Sequence, residues 1–288
     1  MTTSNKNIDN LEHDILKTLK PVYGKSKDDV WNAVFETKLA KPERENVETK
    51  VFQLKWFKFA AAATIVMCIC STLFCKLYTT SIVANKGEHL VHELPDGSVV
   101  TLNAQSTLSY QPYWWSINRE LSFEGEAFYE VEKGSSFIVN SINGITKVLG
   151  TSFNISSRYD EYHVYCVTGT VKVMNPKSQS EVVITPNMRA ILKKDLNFDV
   201  LDNVKVNISQ WRDNKFMFTA APLNRVIQEV ERQYDVKIVN EISLSGRLRY
   251  TGYFSKSQSV DETLNLICQS FGVSFVKQSN KKYIVSQN

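Results

Sequence analysis

Apolar positions follow four different spacings along this chain, and each spacing predicts a different structure. In the first fifty residues they recur at helical intervals: Ile8, Leu11, Ile15 and Leu19, then Trp31, Val34, Phe35 and Leu39 with Val30 beside them. Pro21 and Gly24 separate the two runs. Ser26 with Asp29 three residues on gives the second helix a capping-box-like start, Pro42 ends it, and the charged stretch 42–49 reads as a linker. Helices of about a dozen residues are marginal alone in water, and fewer than ~40 residues rarely fold unaided. The Trp31–Phe35 face is therefore expected to need a partner. Self-packing or dimerisation is the plain reading, and docking into a groove of another protein is the favoured one.

The second spacing is no spacing at all. Trp56 to Tyr78 reads WFKFAAAATIVMCICSTLFCKLY, with an uncharged centre of 17 residues from Phe59 to Cys75. At ~1.5 Å per residue that centre covers roughly 25 Å, a little less than a hydrocarbon core of ~30 Å. Lys58 and Lys76 can close the gap by running their stems along the core edge to the headgroups. Trp56, Phe57 and Tyr78 stand where interfacial aromatics belong. A signal peptide would begin near the N-terminus and end at a small-residue cleavage site, and this segment does neither. A soluble core helix would carry a polar face, whereas Ala60 to Cys70 holds only Thr64. The segment is read as a membrane span. Lys41, Arg44, Lys50, Lys55 and Lys58 precede it and only Lys76 and Lys86 follow closely, so the N-terminal arm is expected to be cytoplasmic and the C-terminal bulk outside.

Beyond the span the period falls to two. The turn Leu94-Pro95-Asp96-Gly97-Ser98 is followed by Val100, Leu102, Ala104, Leu108 and Tyr110, and then by the alternating run from Leu121 to Val131. Short strands continue to about residue 208, which predicts an all-β domain. After Trp211 strands and helices alternate. Pro222 opens a helix with Leu223, Val226, Ile227, Val230 and Tyr234 on one face, and Ser259 with Glu262 caps another. The order β-α-β, β-α-β, β reads as two similar βαβ units forming one two-layer domain. The predicted organisation is thus a single-pass membrane protein. A short α-helical arm (1–55) and a transmembrane helix (56–78) lead to an all-β domain with a juxtamembrane linker (79–208) and a small α+β domain (209–288).

Composition and chemistry narrow the function. The net charge is +4 over 288 residues and no Lys/Arg block is dense enough for nucleic acid, so direct DNA or RNA binding is not expected. Outside the span only Cys166 and Cys268 remain, on a predicted strand and a predicted helix of different domains, and they read as buried thiols rather than a disulfide. His89-x-x-His92, flanked by Glu88 and Glu93, is the one dense group of ligand-type residues, but it falls in the predicted linker and is not read as a metal site. Glu124, Glu126, Glu130 and Glu132 read as one solvated strand face. No nucleophile elbow, zincin, P-loop or dinucleotide motif occurs. No catalytic residue, cofactor or metal is expected.

Four ordered motifs carry a family resemblance: Leu94-Pro95-Asp96-Gly97-Ser98, Leu102-Asn103-Ala104, the run Leu121 to Val131, and Val148-Leu149-Gly150-Thr151-Ser152-Phe153-Asn154. Gly169-Thr170-Val171-Lys172-Val173 continues the series. They resemble the FecR family of transmembrane anti-sigma factors. Trp211, Phe216, Phe218, Pro222-Leu223 and Glu231 to Val236 resemble the C-terminal domain of such proteins, itself similar to the short signalling module of secretins and TonB-dependent receptors. Pro186-Asn187 departs from the Pro-Gly turn usual in the family, but Asn tolerates a left-handed backbone and is expected to keep the turn.

The resemblance implies an inner-membrane relay with a cytoplasmic N-terminus and a periplasmic C-terminus. The signalling domain of a TonB-dependent outer-membrane receptor would dock outside, and an extracytoplasmic-function sigma factor would be held inside, controlling uptake genes for iron chelates or glycans. On that reading Trp31, Val34, Phe35 and Leu39 are the candidate sigma-binding residues, and Trp56, Lys58, Lys76 and Tyr78 the membrane anchors. The alternatives are a membrane-anchored periplasmic binding or scaffold protein without a sigma partner, and an anchored hydrolase.

Overall fold

Residues 24, 26–39, 52–158, 161–204, 210–241 and 247–287 are described by the structure, a computed structural model. It divides into two units, Met1–Ala63 and Thr64–Asn288. In the first, α1 (Lys27–Leu39) begins as its sequence predicts. The Ser26 amide donates to Asp29 Oδ2 at 3.1 Å and the Asp29 amide to Ser26 Oγ at 3.3 Å. Trp31 is exposed on this helix. The side chains of Val34, Phe35 and Leu39, the predicted helix over 8–19 and the linker 42–49 lie outside the described residues.

Helix α2 (Phe52–Leu77) runs from the first unit into the second. Among the described residues its stretch Trp56–Leu77 is the one helix long and apolar enough to cross a membrane, and none of that stretch is buried against the protein. Its hydroxyls need internal partners in such a setting, and Thr72 Oγ1 donates to the Cys68 carbonyl at 2.7 Å.

Thirteen strands make the β-rich part: β1 (Thr80–Ala84), β2 (Leu90–Glu93), β3 (Val99–Leu102), β4 (Ser106–Tyr110), β5 (Arg119–Glu130), β6 (Phe137–Ser141), β7 (Gly144–Val148), β8 (Ser152–Arg158), β9 (Glu161–Thr168), β10 (Val171–Met174), β11 (Glu181–Ile184), β12 (Arg189–Leu192) and β13 (Phe198–Leu201). The long strand β5 belongs to two sheets. Its first half pairs with β4 and, in parallel, with β6, while its second half pairs with β3 and β8. One layer then reads β1-β4-β5-β6-β7-β10-β11 and the other β2-β3-β5-β8-β9-β12-β13. The strand changes layer at Gly125, whose φ of +116° and closeness to Ser106 leave no room for a Cβ. Between the layers lies an apolar core that includes Leu102, Leu108, Trp115, Leu121, Phe123, Tyr129, Phe137, Phe153 and Ile155. A polar tie crosses it where Thr146 Oγ1 meets Tyr162 Oη at 2.6 Å.

The remaining elements are β14 (Lys215–Pro222), α3 (Leu223–Tyr234), β15 (Lys237–Asn240), β16 (Arg249–Ser255), α4 (Val260–Gln269), β17 (Val273–Ser279) and β18 (Lys282–Gln287). Their order follows the sequence reading, but the pairing does not form two self-contained βαβ units. Strand β14 pairs antiparallel with β16, and β15 pairs parallel with β18, which pairs antiparallel with β17. Each helix therefore crosses between two small sheets rather than returning to its own. Leu223, Val226, Ile227 and Val230 of α3 and Leu264, Ile267 and Cys268 of α4 share one core with Phe216, Tyr250, Phe254 and Tyr283. The predicted capping box of α4 is formed, with the Ser259 amide donating to Glu262 Oε2 at 2.8 Å and the Glu262 amide to Ser259 Oγ at 3.2 Å.

One local expectation comes out differently and another holds. The stretch read as a juxtamembrane linker contains β1 and β2, because Ile82 and Ala84 and then Leu90 give inward positions too few to stand out as alternation. The turn at Pro186-Asn187 is kept as expected. Asn187 has φ +67° and its amide donates to the Cys166 carbonyl at 3.0 Å. Cys166 and Cys268 are buried free thiols, each pushed up to about 11 by burial.

Candidate functional site: a polar lock between the β sandwich and the α+β part

Strand β5 is covered on both faces around Phe128. Ala127 and Tyr129 point into the sandwich, while Phe128 points outward and joins the core of the α+β part. Glu126 and Glu130 share that outward face by strand alternation. The run of glutamates read as a solvated face is thus covered at Glu126, and Glu130 stands 3.7 Å from Arg212. The Arg212 guanidinium also lies 3.6 Å from the centre of the Phe128 ring. Alternation tells which side chains share a face but not what will cover it.

From Glu126 a chain of hydrogen bonds runs across the boundary. Asn103 Nδ2 donates to Glu126 Oε2 at 2.9 Å, and Asn154 Nδ2 donates to Oε1 at 3.0 Å. Asn154 Oδ1 accepts the Trp211 indole N–H at 3.1 Å. Asn103 Oδ1 accepts from Gln233 Nε2 at 2.7 Å, and the same amide donates to Glu229 Oε1 at 2.8 Å. With its amide group so committed, Gln233 turns its oxygen to His89 Nε2 at 3.0 Å, which fixes that nitrogen as the donor. His89 meets the Trp211 ring edge-on at 5.3 Å. The Gly87 amide donates to the Arg232 carbonyl at 2.7 Å, and Lys256 Nζ donates to the Gly87 carbonyl. Asn103, Asn154, Trp211, Glu229, Arg232 and Gln233 are all buried.

The electrostatics separate two carboxylates. Burial pushes the Glu126 carboxyl above the ordinary range, opposed by the charge of Arg158. Burial acts on Glu229 in the same sense, but Arg232 and Arg158 outweigh it and hold that group at about 2. Arg232 contacts Glu229 Oε2 through Nε at 3.2 Å and through a terminal nitrogen at 2.5 Å. Burial lowers His89 below its usual value, so it stands as a neutral imidazole. Opposed carboxylates can mark an acid–base pair in an enzyme. Here both Glu126 oxygens are taken up by side-chain amides and Glu229 by Arg232 and Gln233, so the arrangement holds two folded parts together.

The residues singled out from the sequence are distributed differently. His89 and His92 turn to separate partners, Gln233 and Tyr110, the latter at 3.0 Å. Trp56 and Lys58 are exposed near one end of α2. Lys76 and Tyr78 at the other end meet a loop of the sandwich: Lys76 Nζ lies 6.0 Å from the Trp114 ring centre, and the Tyr78 ring 5.3 Å from that of Tyr113. Asn103, Glu126, Asn154, Trp211 and Gln233 all lie within the motifs that carry the family resemblance, so the signal was present although the lock itself was not read. Asp96 of the Pro-Asp-Gly turn likewise does more than turn the chain. It receives the buried Arg119 guanidinium, which also donates to the carbonyls of Ser135 and Glu132 at 2.8 and 2.9 Å.

Known proteins agree with this architecture. The family model described as FecR protein matches residues 80–172, and that described as FecR, C-terminal matches residues 215–285. The chain belongs to the FecR family. Two crystal structures of a protein from Parabacteroides distasonis ATCC 8503, described provisionally as an anti-sigma factor, are similar to it at 29% sequence identity. One covers 73% of this chain and 100% of its own with a TM-score of 0.67, and the other 73% and 99% with 0.66. No curated protein matches the sequence.

Proposed function

We propose that this protein is a membrane-spanning anti-sigma factor. The observation that carries the reading is that both FecR family models match one chain that also holds an apolar helix of spanning length ahead of them. Residues 1–55 form the cytoplasmic arm, α2 crosses the inner membrane, and residues 79–208 and 209–288 form two periplasmic domains. Trp56 and Lys58 anchor one membrane face, Lys76 and Tyr78 the other. The protein acts by binding and has no catalytic step.

The inside partner is an extracytoplasmic-function sigma factor, held through Trp31, Val34, Phe35 and Leu39. The exposure of Trp31 on a capped helix supports this face. The outside partner is the signalling domain of a TonB-dependent receptor, which would dock on a strand edge of the β sandwich or the α+β part. The polar lock suits such a relay, because a partner that engages either outer domain displaces both. Residues 1–55 used as bait should recover one sigma factor from the host cytoplasm, and Trp31→Ala with Phe35→Ala should lose it. Undiminished sigma binding by the double variant would remove these residues from the interface. Recovery of no sigma factor by an intact cytoplasmic arm would favour the scaffold reading.

A further inference from the structure

The residues around α2's C-terminal end lie against the loop between β4 and β5, whose Tyr113 and Ile117 stay exposed. Between β4 and β5 the chain reads Gln111-Pro112-Tyr113-Trp114-Trp115-Ser116-Ile117-Asn118, eight residues without a charge. The loop is built rather than loose. The Trp114 amide donates to the Gln111 carbonyl at 3.2 Å, and the Ile117 and Asn118 amides donate to the Trp114 carbonyl at 3.0 and 3.1 Å. Trp115 plugs it into the sandwich, edge-on to Tyr110 at 5.3 Å and to Phe137 at 5.6 Å. With Trp115 turned inward, Tyr113 and Ile117 are left facing out.

What Tyr113 and Trp114 face is set by α2. Tyr113 lies 6.2 Å from the Phe74 ring and 5.3 Å from the Tyr78 ring, and Trp114 lies under Lys76. Phe74 and Leu77 are themselves exposed. The loop therefore stands level with the last turn of the apolar helix, where a lysine and a tyrosine meet the headgroups. Aromatic and aliphatic side chains at that depth are at home, while an apolar patch held in water is costly.

We infer that the loop 111–118 is a lipid-binding foot, with Tyr113, Trp114 and Ile117 seated in the headgroup layer of the bilayer that α2 crosses. The sandwich rests on the membrane surface rather than hanging from it. This rests on α2 being a membrane span, and the test separates the two claims.

The test places an environment-sensitive fluorophore on Ile117→Cys in the full chain, reconstituted into phosphatidylcholine–phosphatidylglycerol vesicles carrying a nitroxide near the headgroup. Cys68, Cys70 and Cys75 are replaced by alanine, while Cys166 and Cys268 stay, being buried. Ile142→Cys is the matched control: the two isoleucines are 70% and 72% exposed. Strands β5 and β6 run parallel with Arg119 beside Phe137 and Phe123 beside Ser141, so Ile142 lies past the far end of β6 and beside the middle of β5, while Ile117 stands before both strands begin. A third label on Ile65→Cys, read against a nitroxide deep in the chains, reports the span itself. The expected result is quenching at 117 at least about twofold stronger than at 142, as an interfacial position demands. Equal quenching at 117 and 142 with strong deep quenching at 65 overturns the foot and leaves the span standing. No deep quenching at 65 removes both. Tyr113→Cys repeats the measurement should the Ile117→Cys chain fail to fold.

Discussion

Replacing Gln233 with leucine keeps its volume and removes its hydrogen bonds, which makes it the sharpest probe of the polar lock. Gln233 is fully buried, so no water can take its place without opening the boundary. Of its three partners, Asn103 Oδ1 keeps a bond from the Ala104 amide at 2.7 Å. Glu229 Oε1 and His89 Nε2 lose the bonds at 2.8 and 3.0 Å that Gln233 made. Each buried polar group left so costs about 1–3 kcal/mol, which puts Gln233→Leu at about 4 kcal/mol. For a folded part of roughly two hundred residues this lowers Tm by about 8–16 °C. Differential scanning calorimetry of the full chain in detergent reads both the midpoint and the number of transitions. The natural protein should melt its sandwich and α+β part together, and the variant earlier. Asn103→Leu added to Gln233→Leu should cost less than the sum of the two single changes, since their shared bond is already gone. A midpoint within about 2 °C of the natural protein, well below what these unmet groups require, would refute the reasoning.

Two further outcomes follow from the same geometry. Arg119→Met strands the Asp96 carboxylate in its turn and leaves the Ser135 and Glu132 carbonyls short of a donor. The urea midpoint should then fall by the equivalent of about 3–5 kcal/mol, and a loss far smaller than this would show the pair to be dispensable. His89 has its folded pKa below the usual 6.5, so the native state holds fewer protons than the unfolded chain. Its stabilising contribution is complete above pH 6.5 and is lost as pH falls from there toward the lower folded value. The Tm measured between mildly alkaline and mildly acidic buffer should therefore drop, and His89→Gln should flatten that drop. An unchanged slope would place the acid sensitivity elsewhere.

What was legible in the sequence is what depends on near neighbours. Ser26 with Asp29 and Ser259 with Glu262 announce helix starts because both partners lie within one turn. The strand alternation from Leu121 to Val131 is visible because β5 buries every second side chain in the sandwich. The pairing of β14 with β16, rather than with its own βαβ neighbour, leaves no local mark. Nor does the lock: Gln233 and Asn103 are separated by 130 positions, and Trp211 and Asn154 by 57. Asn103 and Asn154 read as ordinary polar residues near strands until the surface that covers them is known. Glu126 shows the limit most clearly. Its place on an outward face was readable, but only the α+β part decides that outward there means half-buried.

Only Tyr78 and Thr79 lie between the last residue of α2 and the first of β1. Two residues fully extended reach about 7 Å. Such a join has almost no slack to take up. A pull or twist applied to the sandwich arrives at the end of α2 with little lost on the way, as along a short stiff shaft. A long flexible linker would let the same load dissipate in loose chain.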